Sequence, residues 1–392
     1  MFKGRKGIRS ILNDTTEPAN LTLEVQQGTA LLQRPTSPDI IAVTDRTTDL
    51  PEGSVISSDQ ATQANLTLRD PTSGANLVIV QLSDITNMTL LAGRRPRFDV
   101  SPNAQQLGLL VKGGRVRLNI LNGSPRPVAV SVGSPQGQVT FGVGTYIVEV
   151  TNEELQVTVR EGQATVTAQG TSVDIDGTQR ASVLLGQAPQ GGLSKERNLI
   201  TNGNFAAPLE LAWIVENDVA DTSEAEGVVG TAAVAGRRAT RFEREGGNHA
   251  ETRLIQKIDR DVTGAAKLTL HFAVLLNYQD VPVCGSLGSE CPLMLKINYR
   301  DTLGTAREWV KGFYYLPDPS PKPNSAVCVT CKPPNPHQII PAGTWFTYDS
   351  GNLMDILAAD DVKPGRITQI TFYASGHSYS SALTDVELLV QD

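Results

Sequence analysis

Short runs of alternating apolar and polar residues recur through the first half of the chain, from Leu21 to Leu185. Val, Ile, Leu and Thr fill most of the apolar positions, and glycine, proline, asparagine or aspartate closes each run. A period of two residues is typical of strands with one buried face. The pattern predicts a stack of β-hairpins, arranged as a β-sandwich or a rolled β-solenoid. Several turns can supply positive φ angles: Asn122-Gly123, Glu161-Gly162 and Asp176-Gly177.

The composition limits the fold class and the partners. A length of 392 residues favours two domains. With 40% hydrophobic and 19% charged residues, the chain can build packed cores. Glycine (35) and proline (23) suit many short strands, and amphipathic helical patterns are nearly absent, so we predict an all-β protein. The net charge of −7 argues against nucleic acid as a partner, because phosphate binding needs a basic surface.

Residues 1–20 begin with four basic side chains and only a fragmentary apolar patch. A signal peptide needs an apolar core of about 7 residues, and a membrane span needs about 18 consecutive apolar residues. Neither is present here. We expect a basic, flexible tail. A signal or anchor that was removed, or that lies outside this chain, is the alternative.

Four segments of the first half resemble the FecR domain family in order and spacing. Gly144-Thr145 and Glu161-Gly162 match the family's strand and hairpin positions, whereas Ser54 replaces the usual aspartate after Gly53. The resemblance implies an extracytoplasmic β domain over residues 21–185, serving as a sensory or scaffold module in a bacterial envelope protein. The family's transmembrane signalling is not implied. The four segments cover residues 24–33, 50–70, 138–166 and 173–183.

Residues 186–197, GQAPQGGLSKER, predict a polar, flexible linker. The stretch NLITNGNFAAPLELAW (198–213) then opens a second domain. An apolar strand, the Asn202-Gly203 turn, Phe205 and Trp213 resemble the start of a galactose-binding-like, carbohydrate-binding-module jelly roll. Residues 248–278 and the closing TDVELLVQD resemble its core strand pair and its last strand. The resemblance implies a jelly-roll β-sandwich over residues 198–392 that binds glycan or another envelope component.

All four cysteines lie in one region of the second domain: Cys284, Cys291, Cys328 and Cys331. An even number of cysteines in an exported protein favours disulfides. Pairing within each loop is the simplest of three possible arrangements, and a cross-loop pairing would join two long loops. A zinc ion bound by the four sulfurs, with His337 as a spare ligand, is the alternative, although the spacing departs from that of zinc knuckles.

The second domain is enriched in aromatic residues. Exposed rings can stack on the apolar faces of sugars while neighbouring polar groups bind hydroxyls, but most aromatic side chains of a β-sandwich fill its core. The segments GFYYLPDPSP and GTWFTYDSGN are the richest. The candidate ligand-binding residues are Trp309, Tyr314, Tyr315, Asp318, Trp345, Tyr348, Asp349 and His377.

The jelly-roll resemblance also implies a structural calcium ion between the first and last strands. Asn204 and Asp385 occupy the matching regions, and oxygen ligands in loops suit calcium. The acidic residue that usually follows the aromatic is replaced by Ala206-Ala207.

Motifs of the common enzyme classes are absent. The sequence has no G-x-S-x-G, no HExxH and no phosphate-binding glycine loop, and its four histidines have no partner at motif spacing. We therefore expect a non-catalytic protein, and the two resemblances imply a binding role at the cell surface or envelope. The alternatives are a structural protein that contacts other proteins through its strands and, less favoured, a hydrolase with a carboxylate pair brought together by the fold.

Overall fold

The computed structural model describes residues 12–48, 50–59, 62–122, 126–177, 179–219, 224–317, 327–331 and 334–391. The chain divides into two compact units, Met1–Lys195 and Glu196–Asp392. Strands dominate both units, so the prediction of an all-β protein with sandwich-like sheets is confirmed. Within the described residues, no helix has the length and apolar character needed to cross a membrane.

In the residues of the first unit that the structure describes, 17 strands belong to one continuous sheet. The strands are β1 (Thr16–Pro18), β2 (Asn20–Gln27), β3 (Ala30–Gln33), β4 (Ile40–Val43), β5 (Arg46–Thr47), β6 (Val55–Ser57), β7 (Gln63–Arg69), β8 (Asn76–Pro96), β9 (Gln105–Ile120), β10 (Val128–Gly133), β11 (Gln138–Phe141), β12 (Gly144–Val150), β13 (Glu154–Glu161), β14 (Gln163–Ala168), β15 (Thr171–Asp176), β16 (Gln179–Leu184) and β17 (Gln190–Ser194).

Two long strands, β8 and β9, organise this unit. The first half of β8 and the second half of β9 belong to one row of paired strands, β5-β2-β7-β8-β9-β12-β13-β16-β17. The second half of β8 and the first half of β9 belong to another row, β4-β3-β6-β8-β9-β10-β11-β14-β15. Alternating Val, Leu and Ile side chains from both rows form one buried core, as the sequence pattern predicts.

The bend shared by β8 and β9 depends on a glycine. The register between the two strands shifts between Ser83 and Asn87. Opposite this shift, Gly114 adopts a φ of +98°, and a Cβ atom there would lie 2.3 Å from the Ile85 carbonyl oxygen. Thr86 closes the bend, because its hydroxyl accepts the Arg115 N–H at 3.1 Å.

Two segments differ from the prediction of flexible backbone. Residues 16–18, placed in the N-terminal tail, form β1, which pairs with the end of β8. The Glu17–Arg95 ion pair at 2.6 Å accompanies that pairing. The predicted linker also contains strands: β17 pairs with β16 in the first unit, and residues 196–198 pair with the last strand of the second. Strand segments that still have an unpaired edge, such as the ends of β8 and β31, provide backbone partners that composition alone cannot reveal.

The described part of the second unit contains 14 strands, one helical turn and two 3₁₀ turns. They are β18 (Glu196–Asn198), β19 (Ile214–Val219), β20 (Val228–Val234), β21 (Arg237–Arg244), β22 (Ala250–Asp261), β23 (Lys267–Gln279), β24 (Leu293–Asp301), β25 (Ala306–Tyr314), β26 (Val327–Cys328), β27 (Asn335–Pro336), β28 (Gln338–Ile339), β29 (Phe346–Asp349), β30 (Pro364–Gly376), β31 (Tyr379–Gln391), α1 (Leu353–Ile356) and the 3₁₀ turns Leu209–Leu211 and Pro282–Cys284.

Two sheets form a β-sandwich in this unit. The order in the first is β20-β21-β31-β23-β29, with β18 also on β31, and the order in the second is β19-β22-β30-β24-β25-β28. Neighbours are antiparallel except for β25 and β28. The core between the sheets is rich in aromatic rings, with Phe272 in contact with Phe313, Tyr348 and Phe372.

The stretch 198–213 is scaffold for this sandwich. Phe205 and Trp213 are buried with ring centroids 5.8 Å apart, and the Trp213 Nε1–H donates to the Asn202 carbonyl oxygen at 3.1 Å. The Asn202 side chain accepts the Ala207 N–H and donates to the Ala207 carbonyl, each at 3.0 Å. Gly203 passes so close to Val386 that a Cβ atom would meet its carbonyl oxygen at 1.9 Å.

Candidate functional site

The cysteines form disulfides within each loop, Cys284–Cys291 and Cys328–Cys331. This is the simplest pairing expected from the sequence. The zinc alternative is wrong in this structure, because every sulfur is consumed in an S–S bond and no thiolate is left to bind a metal.

The two disulfide loops cover part of the β24–β25–β30 sheet, and we call them the disulfide cap. The four buried cysteines pack against side chains on the sheet face that points away from the main core: Met294, Val310, Tyr314 and Tyr373. His337 lies buried under the same loops. Its Nδ1 accepts the Gly312 N–H at 2.7 Å, and its Nε2 faces the Gly288 carbonyl oxygen. Burial lowers the pKa of His337, and nearby Lys311 lowers it further.

Three of the predicted sugar-stacking rings are buried. Trp309 and Tyr348 belong to the main core, and Tyr314 lies beneath the disulfide cap. Desolvation by this burial raises the pKa of Tyr348 to about 12. The prediction for these three residues is wrong because Trp309 and Tyr314 lie on β25, whose two faces are covered by the core and by the cap, and Tyr348 on β29 packs against Phe272 in the core.

The remaining candidates are scattered across the unit. The Tyr315 hydroxyl accepts the Gln279 N–H at 3.2 Å, and Trp345 is half-buried under Arg237, whose guanidinium carbon lies 5.1 Å from the ring centroid. Asp349 is exposed, with a carboxylate oxygen 3.6 Å from His271 Nδ1. Asp318 lies outside the described residues.

The residues expected to bind calcium have other partners. The Asp385 carboxylate pairs with the Arg237 guanidinium, and the Asn204 side-chain oxygen accepts the Ala206 N–H at 3.1 Å. Within the described part of the chain, no group of three or more His, Cys, Asp and Glu residues could hold a metal ion. A guanidinium beside the carboxylate disfavours a divalent cation, so these residues do not fit the ion, and calcium binding there stays an untested prediction.

A cleft of about 840 Å³ lies at one end of the β20–β21–β31–β23 sheet, and we call it the Tyr278 cleft. The Tyr278 side chain is 50% exposed. Loops before β20, between β21 and β22, and between β30 and β31 form the rim. The lining residues are Ala225, Glu226, Val228, Glu243, Arg244, Glu245, Gly246, Tyr278, Ser378, Tyr379 and Ser380.

Strand register brings part of this lining together. Val228 pairs with Glu243, Glu243 with Ser380, and Ser380 with Tyr278, so these side chains form one row across four strands. Directly paired residues project from the same face about 5 Å apart. The row therefore places an aromatic ring, a hydroxyl and a carboxylate side by side on an accessible surface.

A buried arginine supports the cleft from below. The Arg244 side chain is fully buried, and its guanidinium donates to the carbonyl oxygens of Ala225 and Asn248 at 2.7 and 2.8 Å. It also donates to the Glu224 carboxylate at 3.2 Å. Because Glu224 further accepts the N–H groups of Gly247 and Asn248, the pKa of its carboxyl is lowered, with the Gly247 bond as the largest cause. Arg244 thus joins two rim loops.

Of the ligand-binding residues predicted from the sequence and described by the structure, only His377 lies near this cleft. His377 precedes the lining residue Ser378 and is half-exposed, with its Nδ1 4.0 Å from Asp280. Tyr278 and the three glutamates were missed because strand register, not sequence proximity, brings them together. The signal available was weak: Tyr278 ends a long apolar strand, where an aromatic ring can remain in solvent.

No protein-family model and no curated protein sequence matches this chain. Among solved structures, the chain is similar to a putative anti-sigma factor from Parabacteroides distasonis ATCC 8503, with 16% identity, TM-score 0.28 and coverage of 39% of this chain and 69% of that one. It is also similar to the family 11 carbohydrate-binding module from Clostridium thermocellum, solved with a tetrasaccharide, with 11% identity, TM-score 0.28 and coverage of 49% and 94%.

A third similar structure is the enzymatically active domain of tailspike protein 4 from bacteriophage CBA120, with 15% identity, TM-score 0.30 and coverage of 49% of this chain and 21% of that one. Such low identities and TM-scores carry no argument about function. The FecR and galactose-binding-like resemblances therefore stay predictions, and the functional case rests on the geometry of the Tyr278 cleft.

Proposed function

We propose that the second unit binds an oligosaccharide in the Tyr278 cleft. The observation that carries this proposal is the exposed ring of Tyr278 in a row with Ser380 and Glu243. The apolar face of a sugar ring can stack on the phenol, while the hydroxyl and carboxylate bind sugar hydroxyls. A volume of about 840 Å³ lies within the usual range of ligand sites, about 300–1,000 Å³.

The protein would work outside the cytoplasm, as a surface or envelope component. Two disulfides support this compartment, because cytosolic thiols are kept reduced. The first unit would then act as a FecR-like scaffold or sensory module. This part of the proposal depends on the sequence resemblance and on the disulfides.

We propose binding without catalysis. The cleft carries glutamates, and two carboxylates are what a glycosidase needs. A catalytic acid, however, is usually kept protonated by apolar surroundings. Glu226 and Glu245 are both exposed to water. Incubating the full chain with each bound oligosaccharide and analysing the products by mass spectrometry tests this part, because cleavage at a rate abolished by Glu245→Gln would overturn it.

Binding is tested by applying the full chain to an oligosaccharide array and measuring each positive ligand by calorimetry. An aromatic stacking contact contributes about 0.5–1.5 kcal/mol, so we expect Tyr278→Ala to weaken binding by about two- to twelvefold. Leu303→Ala is the matched control, since this side chain is 53% exposed in the same unit and lies outside the cleft lining. Failure to bind any oligosaccharide, or equal losses in both variants, would contradict the proposal.

A further inference from the structure

The charges of the Tyr278 cleft indicate which oligosaccharides it can accept. Among the described residues that line the cleft, three are glutamates, and Arg244 is the single basic one. The Arg244 guanidinium is fully buried and is engaged by Glu224 and backbone carbonyl groups, so it offers no donor to a ligand.

The three glutamates differ in how far they are neutralised. Glu243 lies 3.3 Å from the Arg241 guanidinium on the same strand, which compensates its charge. Glu226 accepts one hydrogen bond, from the Asn217 side-chain amide at 3.3 Å. Within the described part of the chain, neither Glu226 nor Glu245 forms an ion pair with a basic side chain. Both are exposed and line the cleft, so their carboxylates are accessible to a ligand.

We infer that the cleft selects oligosaccharides that carry free, protonated amino groups. This inference rests on the proposed function, because the Tyr278 ring and the cleft shape must first hold a sugar. A neutral sugar can bond to a carboxylate through its hydroxyls, but an ammonium group adds Coulombic attraction, and a uronic acid adds repulsion. Selection among glycans then follows from repulsion of the wrong class as well as attraction of the right one.

The size of the effect is set by solvent exposure. Ion pairs at accessible sites contribute about 0.2–1 kcal/mol each, so two carboxylates predict about two- to thirtyfold preference for an amino sugar over its N-acetylated counterpart. The preference should shrink as salt is raised, because charges at this exposure are screened. N-acetylation is the sharpest comparison, since it removes the charge and leaves the sugar ring for Tyr278 unchanged.

The experiment uses the full chain and three hexasaccharides: β-1,4-linked glucosamine, its N-acetylated form and galacturonate. Affinities are measured at about pH 5.5, where the amino groups of glucosamine are protonated. We expect the glucosamine hexamer to bind most tightly and the galacturonate hexamer most weakly. The double variant Glu226→Gln/Glu245→Gln should lower the affinity for the glucosamine hexamer to the affinity for the N-acetylated hexamer. The affinity for the N-acetylated hexamer should not change.

Glu387→Gln is the matched control, because this glutamate is exposed on β31 and lies outside the cleft lining. Equal affinities for the amino and acetylated forms would overturn the charge selection and leave oligosaccharide binding intact. Equal loss of both forms in the double variant would also overturn it. Absence of binding to all three hexamers would overturn the amino-sugar inference, and a blank result on the wider array would overturn the proposed function as well.

Discussion

The Nδ1 atom of His337 accepts a 2.7 Å hydrogen bond from the backbone N–H of Gly312. On the other side of the ring, Nε2 faces the Gly288 carbonyl oxygen and must donate to it. Only the neutral imidazole with its proton on Nε2 satisfies both partners. Protonation would place a second N–H against the Gly312 donor, so the disulfide cap is built around an uncharged histidine.

The first prediction concerns the pH dependence of stability. Burial lowers the pKa of His337 from the ordinary 6.5, so the unfolded chain binds this proton more readily than the folded chain. The stabilising contribution is therefore complete above about pH 6.5 and is lost as pH falls below it, until folded His337 is also protonated. All three tryptophans lie in the second unit, so tryptophan fluorescence during urea unfolding, from pH 7.5 to 5, reports this loss.

His337→Gln provides the decisive comparison, because an amide can accept from Gly312 and donate to Gly288 without titrating. In the wild type, His337 should lower the free energy of unfolding by up to about 1.4 kcal/mol per pH unit between pH 6.5 and 5. We expect this part of the pH dependence to be absent in His337→Gln. His377→Gln, which changes a half-exposed histidine, is the control and should keep the slope. A slope that persists in His337→Gln would show that another group is responsible.

The second prediction uses two adjacent glycines in β9. Gly114→Ala should lower the free energy of unfolding by about 1–3 kcal/mol or more, because the new Cβ would lie 2.3 Å from the Ile85 carbonyl oxygen at a φ of +98°. Gly113→Ala is the matched control, with no atom within 4 Å of the added Cβ. Urea unfolding followed by circular dichroism compares the two variants. Equal stabilities would mean that the β8–β9 bend relaxes without cost.

Alternation and turn residues were sufficient to predict the fold class. Runs such as residues 138–141 and 163–168 alternate between buried positions and exposed or half-buried ones, in the order expected of strands. Their pairing partners could not be predicted, because β9 joins β8, β10 and β12 across long sequence separations. Similarly, nothing in residues 186–197 reveals that β16 and the end of β31 have unpaired edges available to them.

The candidate site was harder to predict for a related reason. Aromatic content marked β25, but the disulfide cap covers the outer side of that strand and buries Tyr314. Burial depends on loops distant in sequence, which no local pattern reports. The row formed by Glu243, Ser380 and Tyr278 likewise exists only once β21, β31 and β23 are in register.

The third prediction concerns the support of the Tyr278 cleft. Arg244→Met should destabilise the second unit by about 3–5 kcal/mol, because Glu224 and the carbonyl groups of two loops lose their shared donor. Arg241→Met is the control on the same strand, since its side chain is 44% exposed and its pairing with Glu243 is worth at most about 1 kcal/mol. Tryptophan-monitored unfolding separates the two, and similar losses would contradict a supporting role for Arg244.

The fourth prediction tests the disulfide pairing directly. Trypsin does not cleave before proline, so Cys284 and Cys291 fall in one tryptic peptide, residues 268–296, and Cys328 and Cys331 in another, residues 312–366. Pairing within each loop leaves these two peptides unlinked under non-reducing conditions, each 2 Da lighter than its reduced form because two thiol hydrogens are lost. A cross-loop pairing would join the peptides into one species.

Mass spectrometry of the digest, with free thiols alkylated beforehand, distinguishes these results. Alkylated cysteines at all four positions would instead indicate reduced sulfurs and would reopen the zinc alternative. The double variant Cys284→Ser/Cys291→Ser provides a second readout. Removing the disulfide that closes a loop of this size should lower the free energy of unfolding by about 2 kcal/mol. Treating the wild type with reductant should produce at least the same loss, since reduction opens both loops of the disulfide cap over Met294 and Tyr373.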